Sequence, residues 1–159
     1  MTWLPETAPG ATPFDQALGL CPDLRADLAA FQDLFWTLRP VDPIVLELCR
    51  LRVAQILGCD AELARRSAPA VAAGLTEGKI AALDDWRVSG AFSDLERAAL
   101  RVAETFVLDP HGMSDADVGA VSARLGPAGT VALVEALAFF DGFTRFRLIL
   151  GVGAPGAAR

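Results

Sequence analysis

The chain has 159 residues, 53% of them apolar and only 8% aromatic, and a formal net charge of −6. That length suits one domain with a sizeable core, and the apolar excess predicts burial at subunit contacts. The acidic balance, with a pI near 4.7, excludes the basic stripe that a nucleic-acid partner requires.

Residues 1–13 are rich in Pro, Thr and Gly and read as a flexible arm ahead of a single helical domain over 14–152. Leu24, Leu28, Phe31, Phe35 and Leu38 predict a helix with one apolar stripe. "RPVDP" breaks the chain, Pro43 opens the next helix and Gly58 closes it. A shorter helix begins at Cys59 or Asp60 and stops by Gly74. "TEGKIAALDDW" gives another, with Ile80, Leu83 and Trp86 inward. "SDLE" at Ser93–Glu96 is a capping box ahead of the stripe Leu95, Ala99, Val102 and Phe106. Ser114 caps a helix to Leu125. After "GPAG" a final helix, apolar on nearly every side, runs to about Leu150 and belongs at the centre.

No alternating run is long enough for a strand, so the fold class is all-α, a bundle of about seven helices. Residues 153–159 read as a flexible tail. The N-terminus lacks the basic start and apolar core of a signal peptide. Glu135, Asp141, Arg145 and Arg147 interrupt the most apolar run, against a lipid span. Three cysteines without framework spacing suit a reducing compartment. The expectation is a cytoplasmic homo-oligomer with no membrane or nucleic-acid partner.

Cys59, Glu62 and Arg66 stand at i, i+3 and i+7, so a helix through them presents all three on one face. In a first helical turn Cys59 gains from free N–H groups; Asp60 and Glu62 oppose its thiolate, and Arg66 compensates from two turns away. Glu47 sits in the apolar line Ile44, Leu51, Ala54 and needs either a partner or a raised pKa. A raised pKa suits proton transfer, whereas Arg50 offers an ion pair. A Glu62–Arg66 pair and a merely buried Cys59 are the structural alternatives for those residues. One histidine, His111 in a turn, and three scattered cysteines do not close a transition-metal site in a monomer. No glycine loop cradles a phosphate, so neither metal nor cofactor is expected. Cys49 is poorly placed to resolve Cys59, and Cys21 falls in a loop.

Glu47, eleven intervening residues and Cys59, within "ELCRLRVAQILGC", precede "AAGLTEGKIAALDDW", "FSDLERAALRVAE" and "LDPHGMSD". Together these segments resemble the alkylhydroperoxidase D / carboxymuconolactone decarboxylase family over residues 40–152. The resemblance implies an all-helical subunit assembled as dimers to hexamers, with extra N-terminal helices in many members. It also implies a site in which a glutamate and a histidine relay protons to a Cys-x-x-Cys pair that reduces peroxides. Glu47 and Cys59 match that motif, while Glu62 stands at the second cysteine and Arg66 at the histidine. The decarboxylase branch keeps the histidine, so it too is matched only in part. The resemblance thus implies a site whose dithiol chemistry has been replaced. Glu47 and Cys59 are its catalytic candidates, and Glu62 and Arg66 its binding candidates for a small, anionic molecule. As a non-redox enzyme it would use Glu47 and Glu62 for acid–base work on an anionic substrate oriented by Arg66; the alternatives are a single-cysteine peroxidase resolved by an outside thiol and a non-catalytic oligomeric binding protein.

Overall fold

The computed structural model describes residues 12–37 and 40–152. Leu38, the expected tail and all but the end of the expected arm lie outside them. The helices are α1 (Pro13–Gly19), α2 (Pro22–Thr37), α3 (Pro43–Leu57), α4 (Asp60–Leu63), α5 (Ala68–Ala72), α6 (Glu77–Ala81), α7 (Asp94–Leu108) and α8 (Asp115–Leu150). Short 3₁₀ turns occupy Ala82–Asp85 and Pro110–Gly112. Among the described residues there is no strand, and the all-α expectation holds.

Local chemistry explains most of the boundaries. Asp42 caps α3 by accepting from the Ile44 amide at 2.7 Å, ahead of Pro43, which has no N–H to leave unpaired. Gly58 closes the helix with φ 67°, a left-handed turn that costs a glycine little. Ser93 and Glu96 cap α7 reciprocally, as their spacing predicts. Ser114 caps α8 in the same way with Asp117. The last helix breaks where "GPAG" foretells: Gly126 has φ 68° and ψ 176°, and Pro127 follows it. The reading assigned no helix to α1, of which only Pro13 falls in the expected arm. Thr12 accepts from the Asp15 amide at 3.1 Å and Pro13 takes the first turn, a cap signal hidden in a Pro-rich stretch.

Helices α3, α7 and α8 pack against one another, with Val45, Val53, Ala103, Leu133 and Leu137 between them. On the other side of α3 and α7, Leu48, Leu51, Leu83, Trp86 and Leu100 form a second cluster under α5 and α6. Helix α3 is consequently enclosed on every side, buried without interruption from Val45 to Leu51. The C-terminal arm of α8 lies in the core through Leu133, Ala136, Leu137 and Phe140, while Val131, Val134 and Ile149 face outward. By length and composition alone, an 18-residue window of α8 would suffice to cross a membrane; in the fold its inner face is occupied by α3 and α7. The predicted stripe of α2 docks through Phe35 onto Phe139 and Phe140, leaving Leu24 and Phe31 exposed.

The close approach of α8 to the turn before α3 depends on Gly129. A Cβ there would lie 2.7 Å from Leu125 Cβ and 3.1 Å from the Pro40 carbonyl. Gly129→Ala is therefore expected to destabilise the fold by about 1–3 kcal/mol, read as a lower urea midpoint at unchanged slope.

Candidate functional site

The site is organised by one turn of chain folded back on α3. After Gly58, the Cys59 amide donates to the Ala54 carbonyl at 2.9 Å, which fixes the reversal. The Cys59 carbonyl accepts from Glu62 at 3.1 Å and Leu63 at 3.0 Å, so α4 is a single turn with Cys59 at its cap. That turn carries Glu62 onto the side of α3 where Glu47 and Arg50 lie. Glu47, Arg50, Cys59 and Glu62 are all buried.

Arg50 binds this arrangement together. Its Nε and Nη2 donate to the two oxygens of Glu47 at 2.7 and 2.8 Å. Nη1 donates to the Glu62 carboxylate at 2.7 Å and to the Glu62 carbonyl at 2.9 Å. Nη2 also reaches the Arg65 carbonyl at 2.9 Å. Every N–H of the guanidinium is thereby answered. Glu47 additionally accepts from the Ser67 amide at 3.0 Å, so the segment from Cys59 to Ser67 is tied to α3 at several points. Burial pulls the Arg50 pKa down, but the hydrogen bonds and charges of Glu47 and Glu62 outweigh it and hold it above its ordinary value. The Glu47–Arg50 ion pair, one of the two readings of the sequence, is thus the arrangement found.

Glu62 has two further cationic neighbours. Arg65 Nη1 donates to its Oε1 at 3.2 Å from a half-exposed position. Arg147, far along α8, brings Nε to 2.5 Å from the same oxygen. That Nε–H is not directed at the oxygen, and the atom is buried with no hydrogen-bond acceptor. The guanidinium lies over the Phe14 ring at 3.6 Å and near Phe143 at 5.4 Å. Burial, followed by the like charges of Arg65 and Arg50, pushes the Arg147 pKa down, against the opposing pull of Glu62 and Cys59.

Arg66 is not on the face the spacing predicted. The helix ends at Leu63, the Arg65 carbonyl and Ser67 amide bond to Arg50 and Glu47 on α3 instead of continuing it, and Arg66 turns outward to Glu77 at 2.7 and 2.9 Å. That hydrogen bond, resisted by slight burial, raises its pKa. The expected Glu62–Arg66 pair is replaced by Glu62 with Arg50, Arg65 and Arg147. The one-turn length of α4 likewise removes most of the helix-terminus field assigned to Cys59.

Two residues carry more than the sequence reading gave them. Arg50 figured only as a partner for Glu47, and Arg147 only as a charge against a membrane span. A signal for Arg147 was present: Phe140, Thr144 and Arg147 fall at i, i+4 and i+7 on the buried face of α8. Cys49 packs into the α3–α7–α8 core, where burial raises its thiol pKa to about 12. His111 is exposed in its 3₁₀ turn. A separate open cleft of about 300 Å³ beside Trp86 and Leu108 has its charges matched, Arg87 to Glu104 at 2.6 Å and Arg101 to Asp117 at 2.8 Å. Among the described residues no cluster is suited to a metal ion.

The carboxymuconolactone decarboxylase family matches residues 22–105, from α2 into α7. The chain belongs to that family. It is also 29% identical over 120 residues to the uncharacterized protein YnjA of Escherichia coli (strain K12), covering 76% of this chain and 66% of that protein. The match thus spans just under two thirds of the relative's length, and its name assigns no activity. The family segment contains Glu47, Arg50, Cys59 and Glu62, whereas Arg147 comes from the helix beyond it.

Removing Arg50 leaves two buried carboxylates short of their main partner. Arg50→Met is expected to cost about 3–5 kcal/mol, whereas Arg66→Ala, at an exposed pair, should move the urea midpoint little. Equal losses in the two variants would contradict the assignment of Arg50 as the tie between α3 and the Cys59–Ser67 segment.

Proposed function

We propose that this family member binds a small anionic molecule over Arg147, beside Cys59, and does not run a dithiol peroxide cycle. The observation that carries this reading is the buried Arg147 guanidinium, which meets Glu62 Oε1 at 2.5 Å without directing its Nε–H at that oxygen. A carboxylate or similar oxyanion placed in line with that N–H would add the directed hydrogen bond that the contact with Glu62 does not make. Charge supports the same ligand class. Arg50, Arg65 and Arg147 gather around Glu62 and Glu47, three guanidiniums against two carboxylates. Anion binding thus passes from Arg66, on the surface, to Arg147. Glu47 and Glu62 serve in this reading to hold the cations in place, since breaking either set of bonds would free a buried charge.

The dithiol cycle lacks a second sulfur. Glu62 stands three residues after Cys59, Cys49 is enclosed in the core, and Cys21 is exposed. The exposed apolar side chains of α2 and α8, among them Leu24, Leu34, Val131 and Val134, favour self-association, and the composition favours a cytoplasmic setting.

Benzoate, a flat apolar carboxylate able to replace Phe14 on the guanidinium, is the probe of choice. Calorimetry should detect binding to the full chain, tighter in Phe14→Ala and lost in Arg147→Gln; binding unaffected by Arg147→Gln would sink the reading. With a dithiol reductant, peroxide consumption is expected to be no faster than in Cys59→Ser. Rapid multi-turnover consumption dependent on Cys59 would restore the peroxidase alternative.

A further inference from the structure

We infer that α1 is a removable plug: Phe14 occupies the place of the ring of an aryl carboxylate, and binding of that ligand displaces the helix from α8. This deepens the anion-site reading and rests on it, adding the ligand's class and the device that keeps the site closed.

The wall under the plug is aromatic. Phe139, Phe143 and Phe146 follow one another at i, i+4 and i+7, so they share one face of α8. The Phe143 ring lies 5.2 Å from Phe139 and 6.1 Å from Phe146, with the planes 16° and 13° apart. Phe14 stands across this row, edge-on to Phe143 at 5.3 Å and 78° and to Phe146 at 6.2 Å and 89°. Its face meets the Arg147 guanidinium at 3.6 Å. Edge-to-face contact is a preferred arrangement of aromatic rings and gains more than the area it buries. Phe14 thus supplies a ring where a ring is favoured, but no acceptor for the cation. An aryl carboxylate brings both, with an oxygen for the Arg147 Nε–H. Glu62 tolerates this sharing of Arg147, since Arg50 and Arg65 also bond to it.

The plug is held lightly. Helix α1 has seven residues, too few to persist without tertiary contacts. Its side chains Phe14 and Ala17 rest on Phe146, Leu150 and Val152. The ion pair from Asp15 to Arg25, at 3.7 Å, joins α1 to α2 and not to α8. Release of the contacts on α8 is a local opening that leaves the α3–α7–α8 core intact, and a ligand in the place of Phe14 holds it open.

The test uses the full chain with sodium benzoate and sodium cyclohexanecarboxylate, equal in charge and similar in size, of which only the first carries an aromatic ring. By calorimetry benzoate should bind about tenfold tighter, the worth of two edge-to-face contacts. Hydrogen exchange read by mass spectrometry should show the α1 amides exchanging faster at saturating benzoate, with those of α3 unchanged. Phe14→Ala should raise α1 exchange without ligand, and Arg147→Gln should abolish the effect of benzoate on α1. Equal affinities for the two carboxylates, or tighter binding of the cyclohexane acid, overturn the aryl assignment. Exchange of α1 that is unchanged or slower with benzoate bound overturns the plug. In both cases the anion site itself stands if binding is lost in Arg147→Gln; absence of Arg147-dependent binding even in Phe14→Ala removes that site as well. If Arg147→Gln does not fold, the affinity ratio and the α1 exchange of the parent decide.

Discussion

A guanidinium taken out of water persists only if its N–H groups meet acceptors and its charge meets an opposite one. Arg50 satisfies both conditions with groups from two stretches of chain: Glu47 one turn back on α3, and the Glu62 and Arg65 region after the Gly58 reversal. The bonds to main-chain carbonyls matter as much as those to carboxylates. They anchor the Glu62 and Arg65 carbonyls, at and just after the one-turn helix α4, to a buried side chain, which lets an irregular segment lie against a buried helix. The position of Cys59 follows from the same tie, because the chain between Gly58 and Ser67 has few alternatives once its carbonyls and the Ser67 amide are committed to Arg50 and Glu47.

Three of the arginines in this region do different work according to where their N–H groups end. Arg50 is fully bonded and structural. Arg66 is exposed and paired with Glu77, on the outside of the segment. Arg147 combines burial, aromatic stacking and an ion pair at an angle that leaves Nε–H unanswered. Chemistry is best sought at the last of these, since a fully bonded group must break contacts to act and an exposed one competes with water. The cysteines divide similarly. Cys49 lies in an apolar core that disfavours its thiolate, with a pKa of about 12, while Cys59 lies among charges.

The helices themselves were largely legible in the sequence. Asp42–Pro43, Gly58, the Ser93–Glu96 box, Ser114 and the Gly126–Pro127 break are short-range signals, each decided by the backbone groups of its own turn. Two local signals were passed over. Thr12–Pro13 starts α1 inside a stretch whose composition suggested an arm, and Pro69 marks the first turn of a new helix, α5, after the one that stops at Leu63.

By itself, then, the sequence determined an all-helical chain, its main caps and breaks, and the presence of Glu47, Cys59 and Glu62 at a family-like spacing. The tertiary structure alone decided which charges meet. Arg50 and Glu62 are twelve residues apart and joined only because the chain reverses at Gly58. Arg147 reaches Glu62 across the whole α5–α7 region, through the packing of α8 on α3. Caps are settled within one helical turn, where spacing is readable, whereas an ion pair between distant segments depends on the packing of entire helices. A sequence can show that a buried charge needs a partner; only the packed fold selects the partner and fixes the direction in which its remaining N–H groups point.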